Sequence, residues 1–329
     1  MDLQLRWSHS FLVPSLLLTA VFVIVQPSYA APWPQQRAQE SASTCISRLQ
    51  PQAERGEPAA QYNLAQCYLR DDPNNGHVPT SEDYQTALKW LDASKAQDNG
   101  AAEFLLGYMY EHGQGVPRNY GKAVENYRAA AFQGHSTAEN NLASLYQHGQ
   151  GVPKNMSKAL EWYLASAQHG NPVGQCNLAM LYYLGSGIPR DYQEAARWFR
   201  AAADSGSAEA QNGLAVSYYK GLGVARDYPE AARWFWLAAQ QGLPSAETNL
   251  AYLYEQGIGL PLDYVAAYTW YSRALAAGDS SGADRRNQLA HLMTRKQVDE
   301  ATSIFSTSSS QTKQQVPAGA SVFSLLQSH

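Results

Sequence analysis

The sequence repeats itself with a period of 36 residues, and this period restricts the possible folds more than any other feature. Five leucines lie 36 residues apart, namely Leu106, Leu142, Leu178, Leu214 and Leu250. A sixth copy contains Leu64, displaced by six additional residues around the stretch DDPNNGHVPTSED. A small residue follows each leucine by one position, and a tyrosine follows it by four. A period of this length indicates an array of stacked supersecondary units.

Each copy of the repeat reads as two helices joined by a turn. Positions −4, 0, +3 and +4 around the leucine share one face of an α-helix, which we call helix A. Helix A ends at a glycine, and a second glycine follows two residues later, as in Gly149 and Gly151. An Asp or Asn, such as Asp191 or Asp227, then begins helix B, which contains an alanine in every copy and usually a tryptophan. The sequence therefore predicts an all-α fold, a right-handed α-solenoid of six antiparallel helix pairs.

The glycine pair, followed by a basic residue, also raises the question of phosphate binding. A phosphate loop presents backbone N–H groups at the N-terminus of a helix, usually after a strand. Here a helix precedes the glycines, and the motif recurs in five copies, as at Gly113 and Gly115. We therefore interpret the glycines as the turn within each helix pair. The histidines, including His112 and His148, form no zinc-binding pattern, so the sequence predicts neither a cofactor nor a metal site.

The segments outside the repeats divide the chain further. Residues 1–30 read as a signal peptide, because an apolar run at 11–25 precedes Ser28 and Ala30 and predicts cleavage after Ala30. The alternative is that residues 11–25 remain as an inner-membrane anchor. Residues 31–58 read as a linker and an N-terminal helix, and 59–278 as the six repeats. Residues 279–305 read as C-terminal cap helices, and 306–329 as a disordered, low-complexity tail.

Composition, charge and cysteine spacing narrow the choice of partner and compartment. The net charge of −4 does not favour nucleic acid or an anionic membrane surface as a partner. A cleaved signal peptide predicts a periplasmic or secreted protein without membrane contact. Cys45 and Cys67 each lie 11 residues from Gly56, the expected turn, so an oxidising compartment permits a disulfide there; two free thiols are the alternative. We interpret Cys176 as a small buried apolar side chain.

The stretch AEAQNGLAVSYYKGLGVARDYPEAARWFWLAAQQG, residues 208–242, resembles the Sel-one-like repeat (SLR), a relative of the tetratricopeptide repeat. The resemblance extends over residues 59–278, and Asn126 and Leu262 depart from its pattern by replacing the tryptophan and the basic residue. It implies a non-catalytic adaptor or scaffold that binds a protein or peptide, and many bacterial members of the family are exported. It also implies a second possibility, an envelope enzyme of the β-lactam-hydrolase kind, although no nucleophile with an adjacent base is evident.

The candidate binding surface is the side of helix A that faces away from the leucine. Offsets −2 and +2 are uncharged in all six copies, whereas a solvated helix face usually carries Lys and Glu, and asparagine recurs at offset −1. In tetratricopeptide-type stacks helix A lines the concave side, so these positions predict a groove for an extended peptide. The predicted lining is Tyr62, Asn63, Phe104, Tyr108, Asn140, Asn141, Asn177, Met180, Asn212, Asn249 and Tyr252. The alternative is that tight curvature buries both faces of helix A.

Overall fold

The computed structural model of the chain describes residues 41–71 and 78–311, with side chains to residue 307. The predicted signal peptide, most of the predicted linker and residues 312–329 lie outside these residues. Within them there are fifteen α-helices and no strand, which confirms the predicted all-α fold class. The helices are α1 (Ala42–Glu54), α2 (Pro58–Tyr68), α3 (Ser81–Lys95), α4 (Gly100–His112), α5 (Tyr120–Phe132), α6 (Ser136–His148), α7 (Met156–Gln168), α8 (Pro172–Leu184), α9 (Tyr192–Asp204), α10 (Ala208–Lys220), α11 (Tyr228–Gln240), α12 (Pro244–Gln256), α13 (Tyr264–Ala276), α14 (Ala283–Leu292) and α15 (Arg295–Gln311).

The described residues form two compact units. The N-terminal unit contains residues up to 217 together with 222–225, and the C-terminal unit contains residues 218–221 and 226–311. Each even-numbered helix from α2 to α12 is a helix A, and the helix after it is the helix B of the same repeat. In the N-terminal unit α2 packs on α3, α4 on α5, α6 on α7 and α8 on α9. In the C-terminal unit α11 packs on α12, and α12 packs on α13.

Helix B begins after an Asn or Asp whose side chain caps the helix, and this cap recurs in the repeats of this chain. The side-chain oxygen of Asn119 accepts a hydrogen bond from the backbone N–H of Lys122 at 3.0 Å, and Asn155 accepts one from Lys158 at the same distance. Asp191 and Asp227 cap α9 and α11 in the same way, as the sequence predicts. These caps satisfy N–H groups that a helix leaves unpaired in its first turn.

The core consists of the residues that recur in every repeat. The six leucines at the centre of helix A are at most 1% exposed, and the six recurrent alanines of helix B are fully buried. Residues from neighbouring pairs share one hydrophobic cluster, which in the first two pairs contains Ala87, Leu91, Leu105 and Leu106. A single pair cannot bury these side chains alone, so the apolar contact between neighbours holds the array together.

The helices that flank the repeats agree with the sequence at α14 and differ at α15. The predicted helix Ala283–Leu292 is α14, and Thr294 and Gln297 form the predicted capping box at the start of α15. The helix extends to Gln311, so residues 306–311, which we predicted to be disordered, are helical. The hydroxyls of Ser306 and Thr307 donate to the carbonyl of Ser303 at 2.9 Å, a local bond that is compatible with continued helix.

Candidate functional site

The structure buries most of the predicted groove lining. Eight of the eleven predicted residues are buried, and these are Phe104, Tyr108, Asn140, Asn141, Asn177, Met180, Asn212 and Asn249. Tyr62 and Tyr252 are half-buried, and Asn63 is exposed. The structure therefore differs from the prediction of an open groove along helix A. It favours the alternative, in which both faces of helix A are covered.

The close approach of α6 and α8 explains the burial on these two A helices. In the N-terminal unit, α6 contacts α8 directly, although α7 lies between them in the sequence. Alanine at the position after the leucine, as in Ala143 and Ala179, is fully buried and adds little bulk between the helices. On α6 and α8, the side chains at offsets −1 and −2 are consequently buried instead of facing solvent. Their lack of charge reflects the high free energy of burying an unpaired ionised group.

The asparagines of α6 and α8 bond to one another across this contact. The Asn177 amide donates to the side-chain oxygen of Asn140 at 2.9 Å, and the Asn140 amide donates to that of Asn141 at 3.2 Å. The remaining acceptor of Asn177 is buried without a hydrogen-bond partner. Part of the predicted asparagine ladder is thus a connection between two repeats, and its amides are engaged inside the protein.

On α4, aromatic stacking covers the predicted binding residues Phe104 and Tyr108. The ring of Phe104 stacks on His135 with centroids 4.4 Å apart, and the ring of Tyr108 stacks on His112 at 4.1 Å. His135 also accepts a hydrogen bond from the backbone N–H of Ala138, and burial lowers the pKa of its imidazole. Both imidazoles are half-buried, so the stacked residues of α4 present ring edges to solvent.

In the C-terminal unit, the predicted binding residue Tyr252 belongs to a polar network. Tyr252 hydrogen-bonds to Tyr219, and burial followed by that contact raises the pKa of Tyr219 to about 12. The Arg285 guanidinium lies 4.9 Å from the centre of the Tyr252 ring and pairs with Glu255 at 2.9 Å. The hydroxyl of Tyr271 donates to the other oxygen of Glu255 at 2.8 Å. This network ties α14 to the last repeat and uses Tyr252 for packing.

The glycine pair, present in five of the six repeats, forms the turn and also fits against the preceding repeat. Gly149 ends α6 with a φ of +72°, and Gly151 has a φ of +70°. A Cβ atom added to Gly151 would lie 2.4 Å from the backbone carbonyl of Tyr120, the first residue of α5. The second glycine is therefore required where one repeat touches the next. The interpretation as a turn accounts for both glycines without a phosphate.

Two positions change together between repeats, one on helix A and one on helix B. They are 111 and 127 in the second repeat, and the sequence alone did not point to them. The buried hydroxyl of Tyr127 on helix B donates to Glu111 on helix A at 2.6 Å. In the fourth repeat the helix B residue is Phe199, and its helix A partner is Tyr183, whose ring lies 6.3 Å from it. The tyrosine hydroxyl therefore comes from helix B in the second repeat and from helix A in the fourth. Aligning the repeats with one another would reveal this exchange.

The described residues hold few groups suited to chemistry. Cys176 is fully buried, and burial raises the pKa of its thiol to about 12, so the reactive thiolate is scarce at neutral pH. No group of three or more His, Cys, Asp or Glu that could hold a metal ion occurs within 41–71 and 78–311. No helix there is long and apolar enough to cross a bilayer.

Cys45 and Cys67 form a disulfide in the structure, with their Cα atoms 5.9 Å apart. The bond joins α1 to α2, and both cysteines lie in a cluster with Leu49, Ala53 and Leu64. The structure thus adopts the first of the two states that the sequence leaves open. Its position makes α1 a covalently attached cover for the first helix pair.

Comparison with known proteins gives the same fold and six consecutive repeats. The Sel1 repeat profile matches residues 58–99, 100–135, 136–171, 172–207, 208–243 and 244–279. A protective antigen present in uropathogenic Escherichia coli strains, which displays an SLR fold, is similar in structure with a TM-score of 0.74 and 30% identity. That match covers 86% of this chain and 61% of the antigen, so the chain spans about three fifths of the antigen's length.

A Sel1 repeat protein from Oxalobacter formigenes has a TM-score of 0.56 and 32% identity, over 61% of this chain and 86% of that one. No curated protein matches the chain in sequence. The family profile thus covers all the helix pairs from α2 to α13 and leaves α1, α14 and α15 as additions to the repeats.

Proposed function

Because this chain belongs to the Sel1 repeat family, whose members generally mediate protein–protein interaction, we propose that it is a non-catalytic binding scaffold of the bacterial envelope. The observation that carries the proposal is that the positions that recur from repeat to repeat are used for stacking. Leucine, alanine, glycine and the buried asparagines hold neighbouring helices together. The exposed residues of the helix pairs differ from repeat to repeat, and they offer surface to a partner.

The binding surface on helix A is narrower in this proposal than the sequence predicts. Asn63 is exposed, and Tyr62 and Gln66, half-buried beside it on α2, are joined by a hydrogen bond of 2.7 Å. An exposed amide next to a partly exposed ring suits a peptide backbone, because the amide bonds to it while the ring supplies apolar area. We assign contact with a protein or peptide partner to this end of the N-terminal unit.

Two observations support the location outside the cytoplasm. The Cys45–Cys67 disulfide belongs to an oxidising compartment, since cytoplasmic thiols are normally kept reduced. The apolar run at 11–25, followed by Ser28 and Ala30, predicts export through a cleaved signal peptide. If the signal peptide is removed as we propose, N-terminal sequencing of the exported protein yields Ala31; a start at Met1 would instead indicate a retained anchor.

Site-specific photo-crosslinking in living cells tests the binding function. A benzophenone amino acid replaces Asn63 in one variant and Gln193, an exposed residue of α9, in the matched control. The proposal expects discrete protein adducts from position 63 and none of the same mass from position 193. Identical adduct patterns from both positions, or none from either, would contradict it. Neither substitution removes a buried contact, so both variants are expected to keep the helical content of the wild type.

The enzymatic alternative has no specific structural support, and a direct assay decides it. Turnover of a chromogenic β-lactam by the purified protein is expected to equal that of a heat-denatured control. Turnover well above the control would refute the non-catalytic assignment, independently of any crosslinking result.

A further inference from the structure

Arginines cover the tryptophan rings of three consecutive B helices. The Arg197 guanidinium lies 4.3 Å from the centre of the Trp198 ring, and that of Arg233 lies 5.2 Å from the Trp234 ring. Glu194 and Glu230 pair with these arginines and hold them in position. In the last repeat, Arg273 lies 4.5 Å from the ring of Trp270. The protein thus places a cation of its own over each of these three rings.

Trp162 on α7 is the equivalent tryptophan of the third repeat, and no cation of the described residues lies over its ring. The position before it, which holds arginine in the next two repeats, is Glu161. The position three residues after it, which holds Arg273 in the last repeat, is Ala165. Trp162 is only half-buried. The ring that carries an arginine in each of the last three repeats is therefore present in the third repeat without one.

An exposed aromatic residue extends the surface around Trp162. Phe132, the last residue of α5, is 75% exposed and packs edge-on against the Trp162 ring with centroids 5.6 Å apart. The other copies carry alanine, glutamine or aspartate at this position, namely Ala96, Gln168, Asp204, Gln240 and Ala276. Stacking of the repeats does not require a phenylalanine there. A ring left in water forgoes the free energy that burial against a partner would supply.

The charges around this aromatic pair are acidic and unmatched. Glu161 is exposed beside Trp162, and Glu125 is exposed two helical turns before Phe132 on α5. Neither carboxylate has an ion-pair partner among the described residues. The nearby cations are engaged by one tyrosine, because Lys158 lies 5.3 Å from the centre of the Tyr146 ring and Arg128 donates to the Tyr146 hydroxyl at 3.0 Å.

We propose that Phe132, Trp162 and Glu161 form a docking site for an arginine side chain from a basic segment of a protein partner. The guanidinium would lie over the Trp162 ring, as Arg197 lies over Trp198, while Glu161 supplies the opposite charge. Phe132 would pack against the apolar stem of the arginine or its neighbour. This inference rests on the proposed scaffold function and adds the chemistry of the partner to it.

Substitutions taken from the other repeats provide the test. Phe132→Gln installs the residue found in the third and fifth repeats. The double variant Lys158→Glu/Glu161→Arg copies the Glu194–Arg197 pair of the fourth repeat. It is expected to place a guanidinium of the protein itself over the Trp162 ring, and it leaves the net charge unchanged. Gln168→Ala, at the exposed end of α7, is the matched control. Far-UV circular dichroism verifies that each variant keeps its helical content.

The probe is a fluorescein-labelled hexa-arginine peptide, and its binding to the full chain is measured by fluorescence anisotropy at about 150 mM salt. We expect about tenfold weaker binding for Phe132→Gln and for the double variant, and unchanged binding for Gln168→Ala. A hexa-citrulline peptide, which lacks the charge, is expected not to bind.

Equal binding of the wild type and both test variants, equal binding of a hexa-lysine peptide, or no binding at all would overturn the assignment. Loss of peptide binding alone does not touch the crosslinks from position 63. If those adducts persist while the peptide fails to bind, the arginine site is refuted and the scaffold function stands. If the peptide binds as expected while no adducts form at position 63, the α2 surface is refuted and the arginine site stands.

Discussion

Replacing Gly151 with alanine tests whether the glycine pair holds neighbouring repeats in contact. Gly151 has a φ of +70°, which costs an alanine about 1–2 kcal/mol. The new Cβ atom would also lie 2.4 Å from the Tyr120 carbonyl, which belongs to backbone and cannot rotate away. Displacing one repeat against the next costs about 1–3 kcal/mol, as other overpacked substitutions do. We expect Gly151→Ala to lower the free energy of unfolding by about 2–5 kcal/mol in total.

The chain contains a matched control for this substitution. Gly170 ends the turn after α7 with a φ of +78°, and a Cβ atom there would meet nothing within 4 Å. Gly170→Ala therefore pays only the conformational cost, about 1–2 kcal/mol. Urea denaturation followed by circular dichroism measures both variants, and the difference between them isolates the contact with Tyr120. Equal loss of stability in the two variants would refute the assignment of Gly151 to the contact between repeats.

Three further predictions concern the covalent and polar contacts of the fold. The oxidised protein is expected to gain the mass of two hydrogens on reduction under denaturing conditions, and Cys45→Ser/Cys67→Ser to lose about 3 kcal/mol of stability in urea denaturation. Burial raises the pKa of Glu247 from 4.5 to about 7, so the folded state binds this proton more tightly, and the free energy of unfolding falls as pH rises from 4.5 to 7. Glu247→Gln is expected to remove on the order of 2 kcal/mol of that fall, measured by urea denaturation at several pH values. Tyr127→Phe is expected to cost about 1–3 kcal/mol, because Glu111 loses its partner, and adding Glu111→Tyr is expected to restore at least half of the loss in a double-mutant cycle.

Each of these predictions has an outcome that contradicts it. Two free thiols in the purified protein would remove the covalent link between α1 and α2. A pH dependence that is unchanged in Glu247→Gln would assign the proton to another group. Additive losses in the double-mutant cycle would show that positions 111 and 127 do not interact, although their counterparts in the fourth repeat are in ring contact.

The sequence alone predicts the helices well because the signals that define them are local. Asp191 and Asp227 cap helix B as expected, and the left-handed glycines end helix A as expected. The bounds of α14 also agree with the prediction. Caps, turns and periodicity depend on a few neighbouring residues, so they can be read without knowing how the repeats pack.

The exposure of helix A could not be predicted in this way. The offsets of Asn140 and Asn177 define their direction on the helix, but not how closely the next helix approaches. Uncharged side chains suit both a peptide groove and a helix contact, and only the packing of α6 on α8 decides between them. The exposed Phe132 could not be predicted from the periodicity, because this residue departs from the residues that the other repeats carry at its position.

The rate at which introduced cysteines react with a maleimide tests most directly where this protein is open to partners. Phe132→Cys and Asn177→Cys are compared in the oxidised protein, in which the native Cys176 is buried and serves as an internal reference. We expect position 132 to react as fast as in denaturant, and position 177 about a hundredfold more slowly, since its labelling requires local opening. Equally fast reaction at position 177 would show that the predicted binding residues of helix A line an open groove. That result would contradict their burial between the helices.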